Sequence, residues 1–228
     1  MCVSLYIYSF GTCGGLAKEA SAGTCVVADK GAAYITRNVD GFTRYYSNGA
    51  GDENIPHADA YTLSQVCPAH AGLSALLSTE LTNKIGEEKV RFGINVSGDS
   101  FYSSQGRVDD NFHDFNQDLV TDFVCNKLPD AASMEMETFN LLNLAICSAK
   151  QVIHASAAAI VVANRHSADV ADASTLNDLE CQGGEAFLSA LAVFEMQINK
   201  YFYIYLYYLS KPSIILNRIK IVIIILYN

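Results

Sequence analysis

The 228-residue chain has no tryptophan, only four prolines and a low share of charged residues, 17%. Its 15 Lys and Arg residues are outnumbered by 24 Asp and Glu residues, which gives a formal net charge of −9. A surface that binds nucleic acid or an anionic membrane needs a basic face, so this balance argues against both partners. Half of the residues are hydrophobic, which allows a sizeable core within one domain.

The cysteines and histidines do not follow the spacing of metal sites. None of the seven cysteines forms a C-x-x-C pair, and the five histidines show no H-x-x-x-H spacing. Scattered cysteines, odd in number, suit neither a disulfide framework nor a zinc site, so we expect reduced cysteines in a cytoplasmic protein. The first residues lack a basic segment and a small-residue cleavage site, so no signal peptide is predicted.

The hydrophobic pattern predicts strands that alternate with helices. Apolar runs predict strands at residues 3–10, 23–29, 32–37, 90–96 and 155–163. Helical spacing predicts helices at residues 68–85, 138–150 and 177–196, with Gly86 as a C-terminal stop and Asn177 as an N-cap. Residues 41–60 are predicted to form a loop or flap, and residues 109–126 a short helix with irregular flanks. The alternation favours an α/β fold, a mixed sheet with helices on its faces.

The segment after the 90–96 strand is unusual for a turn. Phe101 offers a flat face to a flat ligand, Gln105 offers a donor and an acceptor side by side, and Arg107 adds a rigid cationic fork. Together they could bind a small heterocycle that carries adjacent carbonyl and N–H groups. The alternative is a polar hairpin loop with a surface arginine.

A glycine-rich segment, residues 11–15, follows the first predicted strand. Glycine at three of its five positions would let backbone N–H groups face one point and hold an anion around Cys13 and Gly14. Thr12 could add a hydroxyl donor. The alternative is a plain tight turn, and the segment is not a Walker loop because no G-K-[ST] follows.

Two glutamates lie where a predicted strand passes into the helix at 138–150. A carboxylate at such a junction can point into the cleft beyond the strand ends, where open α/β sheets bind ligands. Glu135 and Glu137 flank Met136, and Glu137 could accept hydrogen bonds from a vicinal diol while Met136 supplies an apolar surface. The alternative is that both glutamates only place favourable negative charge at the helix N-terminus.

The last 32 residues, 197–228, differ in composition from the rest. They are rich in tyrosine and isoleucine, and no uncharged stretch reaches the roughly 20 apolar residues of a spanning helix. We therefore predict a domain at residues 1–196 and a low-complexity tail at 197–228. The tail is interpreted first as a gene-model artefact, then as an amphipathic anchor and last as a membrane helix.

In chain order, these segments resemble the nucleoside phosphorylase superfamily and, within it, the uridine phosphorylases. The resemblance runs over residues 3–196 and implies a three-layer sandwich around a mixed sheet. It implies that Phe101 stacks on uracil, that Gln105 and Arg107 bind the polar edge of the ring, and that Arg165 orders this loop. It also implies ribose binding by Glu135, Met136 and Glu137, and phosphate binding by the segment with Thr12, Cys13 and Gly14.

The resemblance implies phosphorolysis of uridine to uracil and ribose 1-phosphate by a pentosyltransferase of nucleoside catabolism and pyrimidine salvage. Glu137, Gln105 and Arg107 are the implied catalytic residues, phosphate is the co-substrate, and no metal or other cofactor is implied. The family also implies a dimer-based homo-oligomer. Asn164 and Arg165 stand where purine-specific relatives have a Ser-Asp pair, which favours uridine. The alternatives are a nucleoside hydrolase, a relative of the purine nucleoside phosphorylases, or a catalytically silent nucleoside-binding protein.

The chain departs from the family pattern in its phosphate-binding part. Ser9 occupies the position of a phosphate-binding arginine, and the family's longer N-terminal part, with further phosphate contacts, has no counterpart in the sequence. Each lost charge-assisted contact is worth roughly 1.5–3 kcal/mol. We therefore expect an N-terminally truncated chain with little or no activity.

Overall fold

A computed structural model of the protein describes residues 3–47, 55–167, 169–198, 202–210 and 218–227. Its strands are β1 (Val3–Gly15), β2 (Cys25–Val27), β3 (Ala32–Arg37), β4 (Tyr61–Leu63), β5 (Val90–Phe92), β6 (Ile94–Gly98), β7 (Ala131–Glu135), β8 (Ile153–Asn164), β9 (Phe202–Ser210) and β10 (Arg218–Tyr227). Its α-helices are α1 (Val39–Ser47), α2 (His57–Ala60), α3 (Ala71–Ile85), α4 (Cys125–Lys127), α5 (Thr138–Ile146) and α6 (Ala173–Ile198). A π-helix, Leu119–Val124, precedes α4.

The strands form the mixed sheet that the sequence predicts. Eight of them are ordered β4-β3-β6-β7-β1-β8-β2-β5, and β10 pairs with both β1 and β9. The pairs β3–β6, β6–β7, β1–β8 and β2–β5 are parallel. Alternate side chains of β1 face different helices: Tyr8 packs in the cluster that contains residues of α3 and α6, and Ile7 in the cluster that contains Leu142 of α5. Helices therefore cover both faces, and the α/β prediction is confirmed.

A short antiparallel junction joins the part of the sheet that contains β6 and β7 to the part that contains β1 and β8. Only two residue pairs connect β1 with β7, Gly14 with Met134 and Gly15 with Ser133. All four residues lie near the carboxyl ends of their strands. The carboxyl ends of β7, β1 and β8 consequently meet at this junction, which is where the candidate site lies.

The glycine-rich segment is not the tight turn that its composition suggests, because β1 continues through it to Gly15. Both final glycines permit close approach of neighbouring groups. A Cβ atom on Gly15 would lie 2.1 Å from the carbonyl oxygen of Ala20, and one on Gly14 would lie 2.8 Å from Nε of Arg165. The glycines thus allow β1 to pack between β8 and β7 and leave space for the Arg165 guanidinium.

The predicted strand at 90–96 is two strands in different parts of the sheet. β5 pairs with β2, whereas β6 pairs with β3 and β7. The chain changes partner at Gly93, which has a φ of 155° and where a Cβ would lie 2.6 Å from the carbonyl oxygen of Asp130. An alternating apolar pattern cannot reveal this division, because both strands are buried on at least one face.

Several boundaries also differ from the prediction. Residues 41–60 contain helices α1 and α2 instead of a loop, although residues 48–54 lie outside the described part. Helix α3 ends before Gly86 as predicted. Helix α6 begins four residues earlier than predicted, because Asp172 accepts hydrogen bonds from the backbone N–H of Thr175 at 2.9 Å and from its hydroxyl at 2.7 Å. Asn177 therefore lies inside the helix and is not its N-cap.

The tail forms strands where the structure describes it, and the division into residues 1–196 and 197–228 stays a prediction. Strand β10 pairs antiparallel with β1, from Val3 opposite Tyr227 to Phe10 opposite Lys220. Within the described ranges, no helix combines the length and apolar character that crossing a membrane requires.

Candidate active site

A cavity of about 300 Å³ opens at the junction of the two parts of the sheet. It is built from the end of β1, the loop after β6, the end of β7 and the end of β8. It brings together all ten site residues predicted from the sequence: Thr12, Cys13, Gly14, Phe101, Gln105, Arg107, Glu135, Met136, Glu137 and Arg165. Met134, Val162 and Ala163 also line it. These three were not predicted, although each lies close to a predicted residue at a strand end.

Gln105 is the point where two arginines from different elements meet. Its side-chain carbonyl oxygen accepts hydrogen bonds from Nη1 of Arg107 at 2.8 Å and from Nη2 of Arg165 at 3.2 Å. Gln105 itself is buried and lines the cavity, and both of the side-chain hydrogen bonds given above are to its carbonyl oxygen. The carbonyl edge is therefore occupied by the protein, and the NH₂ group is the edge that remains available to a ligand.

Arg107 also fixes the aromatic ring of the loop. Its guanidinium carbon lies 3.8 Å from the centroid of the Phe101 ring, and its Nη1 donates to the Phe101 carbonyl oxygen at 2.5 Å. One face of the ring is thereby covered by a cation, an arrangement that stabilises both groups. Burial, with a smaller effect of the positive charge of Arg165, lowers the pKa of Arg107 to about 10. Arg107 thus remains a cation at neutral pH.

A buried asparagine, which the sequence reasoning missed, holds this loop in place. The side-chain amide of Asn116 donates to the carbonyl oxygens of Ser103 at 3.2 Å and of Arg107 at 3.0 Å. Asn116 lies in the irregular segment before the π-helix, where an asparagine is an ordinary surface residue. Its partners lie 13 and 9 residues away, so no local motif marks its role.

Glu135 is held by four hydrogen-bond donors from the protein. Its Oε1 accepts from the side-chain amide of Asn95 and from the hydroxyl of Ser97 at 2.6 Å. Its Oε2 accepts from the backbone N–H groups of Glu137 at 2.8 Å and Thr138 at 2.9 Å. Glu135 therefore anchors the start of α5, as in the alternative that places negative charge at a helix N-terminus.

The strand β6 supplies the polar residues that support Glu135. Asn95 also accepts a hydrogen bond through its Oδ1 from the hydroxyl of Ser133 at 2.8 Å, and the backbone N–H of Phe139 donates to Ser97 at 2.9 Å. Asn95, Ser97 and Ser133 are all buried. The one sequence signal for this network is the presence of polar residues inside strands that are otherwise apolar.

Glu137 is the second carboxyl group that lines the cavity. Its Oε2 accepts a hydrogen bond from the backbone N–H of Met136 at 3.2 Å. Burial is the main cause that raises the pKa of Glu137, to about 7, and the negative charge of Glu135 and a hydrogen bond with it add to the effect. The group can therefore exchange a proton near neutral pH.

Asn164 fixes the turn that carries Arg165. Its amide nitrogen donates to the carbonyl oxygens of Ala17 at 2.9 Å and Ala20 at 2.8 Å. Its Oδ1 accepts from the backbone N–H groups of His166 at 2.8 Å and Ser167 at 3.1 Å. The side chain is fully engaged in holding the turn.

The remaining potentially reactive groups of the site are neutral. Burial raises the pKa of the Cys13 thiol well above its ordinary value, so that it is not a thiolate nucleophile. The six cysteines in the described ranges are free. No group of three His, Cys, Asp or Glu side chains in the described part of the chain is arranged to bind a metal ion.

The sequence profile of the phosphorylase superfamily matches residues 4–192. The chain belongs to the phosphorylase superfamily. Its fold is similar to a uridine phosphorylase of the oomycete Phytophthora capsici, at 35% sequence identity and a TM-score of 0.73 over 84% of this chain and 67% of that one. A search of curated protein sequences found no significant match.

Two more distant superfamily members share the fold. One is a Trypanosoma brucei nucleoside phosphorylase with uridine phosphorylase activity, at 19% identity and a TM-score of 0.57. The other is a Toxoplasma gondii purine nucleoside phosphorylase in complex with immucillin-H, at 17% identity and a TM-score of 0.51. In both comparisons, the matched region covers 82% of this chain and 63% of the other protein. Because the structural neighbours include both uridine and purine enzymes, the preferred base stays a prediction.

Proposed function

We propose that the chain cleaves uridine by phosphorolysis and releases uracil and ribose 1-phosphate. The observation that carries the proposal is the cluster of Gln105, Arg107 and Arg165 beside the Phe101 ring in the cavity. A flat base that carries carbonyl oxygens fits a site with one aromatic ring, one amide donor and two guanidinium groups.

Negative charge collects on the uracil ring as the N-glycosidic bond breaks. Donors that are already in position stabilise such charge without reorganisation. Gln105 cannot easily rotate, because two guanidinium groups hold its carbonyl oxygen, and so its NH₂ group is directed at the base. Arg107 adds a positive charge next to the leaving group, and the Phe101 ring, which lines the cavity, fixes the plane of the base.

Glu137 would bind the ribose. Its carboxylate can accept hydrogen bonds from the 2′- and 3′-hydroxyls, and its negative charge favours the oxocarbenium character that develops on the sugar. Met136 supplies an apolar surface beneath the sugar. Glu135 acts indirectly in this scheme, because its four hydrogen bonds to the protein hold the backbone of Glu137 in place.

Phosphate would enter beside Thr12 and the backbone of Cys13 and Gly14. A phosphate oxygen attacks C1′ of the ribose, the bond from C1′ to N1 of uracil breaks, and its electron pair passes to the base. Holding both reactants in one cavity replaces a bimolecular encounter, which is a major part of the rate enhancement. This chemistry needs no metal or organic cofactor.

The residues at the end of β8 support a pyrimidine base. In the Ser-Asp pair of purine-specific relatives the Asp could protonate a purine. Arg165 stands at the position of that Asp, and its guanidinium donates a hydrogen bond to Gln105 instead. Asn164 stands at the position of the Ser and holds the turn with four hydrogen bonds. We further propose a cytoplasmic, dimer-based enzyme of pyrimidine salvage, and the expected weak activity stays a prediction.

The direct experiment measures uracil release from uridine with and without phosphate, and hypoxanthine release from inosine, by liquid chromatography. We expect phosphate-dependent uracil release that exceeds hypoxanthine release and falls in Glu137→Ala and Gln105→Ala. Gln182→Ala, on an exposed position of α6, is the matched control and should keep the activity. Faster cleavage of inosine than of uridine would contradict the base preference.

A further inference from the structure

Two residues near the candidate active site have a backbone conformation that their side chains disfavour. Phe115 has a φ of 49° and Asp118 a φ of 54°, both in the left-handed region. This region is uncommon for residues other than glycine, and a bulky side chain such as phenylalanine rarely adopts it. Such conformations persist only where the surrounding structure imposes them, and they are concentrated at functional sites. Interactions with the rest of the fold must therefore hold these two residues in place.

Residues 114–118, here named the support segment, are anchored by side chains from residues 37–61. The hydroxyl of Tyr61 donates to the carbonyl oxygen of Asp114 at 2.6 Å. Nε2 of His57 donates to the carbonyl oxygen of Gln117 at 2.8 Å. The ring of Phe115 packs on two aromatic rings of the same part of the chain, those of Phe42 and Tyr45. Both ends and the centre of the support segment are thus fixed from one side.

Asn116 is the buried residue of the support segment. It is 3% exposed, and its side-chain amide donates to the carbonyl oxygens of Ser103 and Arg107. Ser103 lies two residues before Gln105, and Arg107 lies two residues after it. One amide group therefore fixes both ends of the turn that presents Gln105.

The π-helix Leu119–Val124, which follows the support segment, packs on the same turn. A Cβ atom on Gly106, which has a φ of 66°, would lie 3.1 Å from Cγ2 of Val120. π-helical turns are rare and frequently lie at functional sites. The support segment and the π-helix together leave the turn little freedom to change its conformation.

We propose that Asn116 is a positioning residue, which the support segment holds so that the Gln105 amide is directed at the base of the nucleoside. The inference rests on the proposed function, because it takes Gln105 to bind that base. Asn116 does not line the cavity, and neither does any residue from 37 to 61 that the structure describes. Uridine affinity consequently depends on a part of the chain that does not touch the ligand.

The first test is a double-mutant cycle on the Kd for uridine, measured by calorimetry with the full chain. Asn116→Ala removes both hydrogen bonds to the turn and should raise the Kd about tenfold. In the Gln105→Ala background, the same change should raise it less than about threefold, because the amide that Asn116 positions is absent. Equal fold-changes in both backgrounds would show that Asn116 only stabilises the fold and would overturn the proposal.

A second test changes the backbone at Asp118, an exposed position where a substitution leaves the core intact. Asp118→Gly permits a φ of 54° without strain and should keep the Kd for uridine within about twofold. Asp118→Val introduces a β-branched side chain that opposes this φ and should raise the Kd at least about threefold. Asp110→Val is the matched control, because Asp110 is exposed as well and its φ is not positive. Equal Kd values for Asp118→Gly and Asp118→Val would overturn the role of the support segment.

The outcomes separate this inference from the proposed function. If the unmodified chain binds uridine but the Asn116 and Gln105 substitutions act independently, the positioning role is overturned and the proposed function stands. If the unmodified chain does not bind uridine, both proposals are overturned.

Discussion

The guanidinium group of Arg165 donates a hydrogen bond to the side-chain carbonyl of Gln105 at 3.2 Å, across 60 residues of sequence. This contact connects the turn after β8 to the loop after β6. It makes the orientation of the Gln105 amide depend on a residue that belongs to the other part of the sheet.

Removing Arg165 should weaken uridine binding more than it affects the fold. In Arg165→Met the carbonyl of Gln105 keeps only Arg107, and its amide can rotate away from the base. A hydrogen bond to a charged group contributes about 1.5–3 kcal/mol, which corresponds to a 10- to 100-fold higher Kd for uridine. Calorimetric titration measures this change. Arg44→Met, at an exposed position of α1, is the control, and an equal effect of both variants would contradict the assignment.

Uridine binding should strengthen as the pH rises through about 7. In the proposed binding mode the ribose hydroxyls donate to Glu137, so binding requires its carboxylate. Burial, together with the nearby charge of Glu135, raises the pKa of Glu137 to about 7. The Kd for uridine, measured from pH 5.5 to 8.5, should fall with increasing pH and reach a plateau above this pKa. In Glu137→Gln the pH dependence should disappear. A binding curve that is flat over this range would rule out titration of Glu137.

The carboxyl group of Glu137 should give the stability of the unliganded chain a pH dependence opposite to that of uridine binding. The ordinary pKa of this carboxyl group is 4.5, and its pKa in the folded chain is about 7. At a pH between these two values, Glu137 is therefore deprotonated in the unfolded chain and still protonated in the folded chain. The free energy of unfolding should therefore decrease with rising pH in this window and level off above it. Urea unfolding compared between the unmodified chain and Glu137→Gln isolates this contribution, because the glutamine variant lacks it.

The hydrogen-bond network behind Glu135 should contribute to both stability and binding. Asn95→Leu keeps the approximate size but removes a donor to the buried carboxylate and the acceptor for Ser133. An unsatisfied buried group costs about 1–3 kcal/mol of unfolding free energy. Uridine affinity should decrease as well, because Glu135 no longer fixes the start of α5. Asn143→Leu, on an exposed position of α5, should change neither quantity.

Two adjacent glycines of α6 should respond oppositely to alanine. A Cβ on Gly183 would lie 2.3 Å from the Phe10 ring, whereas nothing lies within 4 Å of one on Gly184. Gly183→Ala should destabilise the chain by about 1–3 kcal/mol through overpacking. Gly184→Ala should stabilise it by up to about 1 kcal/mol through helix propensity. Thermal unfolding of both variants tests the packing of α6 on β1, and stabilisation by both would contradict it.

The parts of the site that the sequence predicts are those that lie at strand ends. Phe101, Gln105 and Glu137 stand out because polar or aromatic residues follow apolar runs, whereas Arg165 was implied only by the resemblance. The fold brings these strand ends together. The supporting residues Asn95 and Asn116 could not be found in this way. Their partners are distant in sequence, and a single polar residue in a strand or a loop has no distinct local pattern.

The errors in the fold have a similar physical origin. A glycine-rich segment at the end of a strand has the same composition whether it turns or continues between two neighbours, as it does at Gly14 and Gly15. The run 90–96 has the same alternating apolar pattern whether it forms one strand or two. In both cases the deciding interactions come from other strands, which local propensity does not contain.

The two residue pairs that join β1 to β7 have a consequence for how the chain folds. The cavity of the candidate active site takes residues from segments near positions 12, 105, 136 and 165, and so it exists only when both parts of the sheet have formed and met. Such long-range contacts are expensive in loop entropy and form late. A ligand that binds this cavity therefore stabilises the completely folded chain alone, by mass action. Ligand occupancy thus reports the completion of folding, and no partially folded form can mimic it.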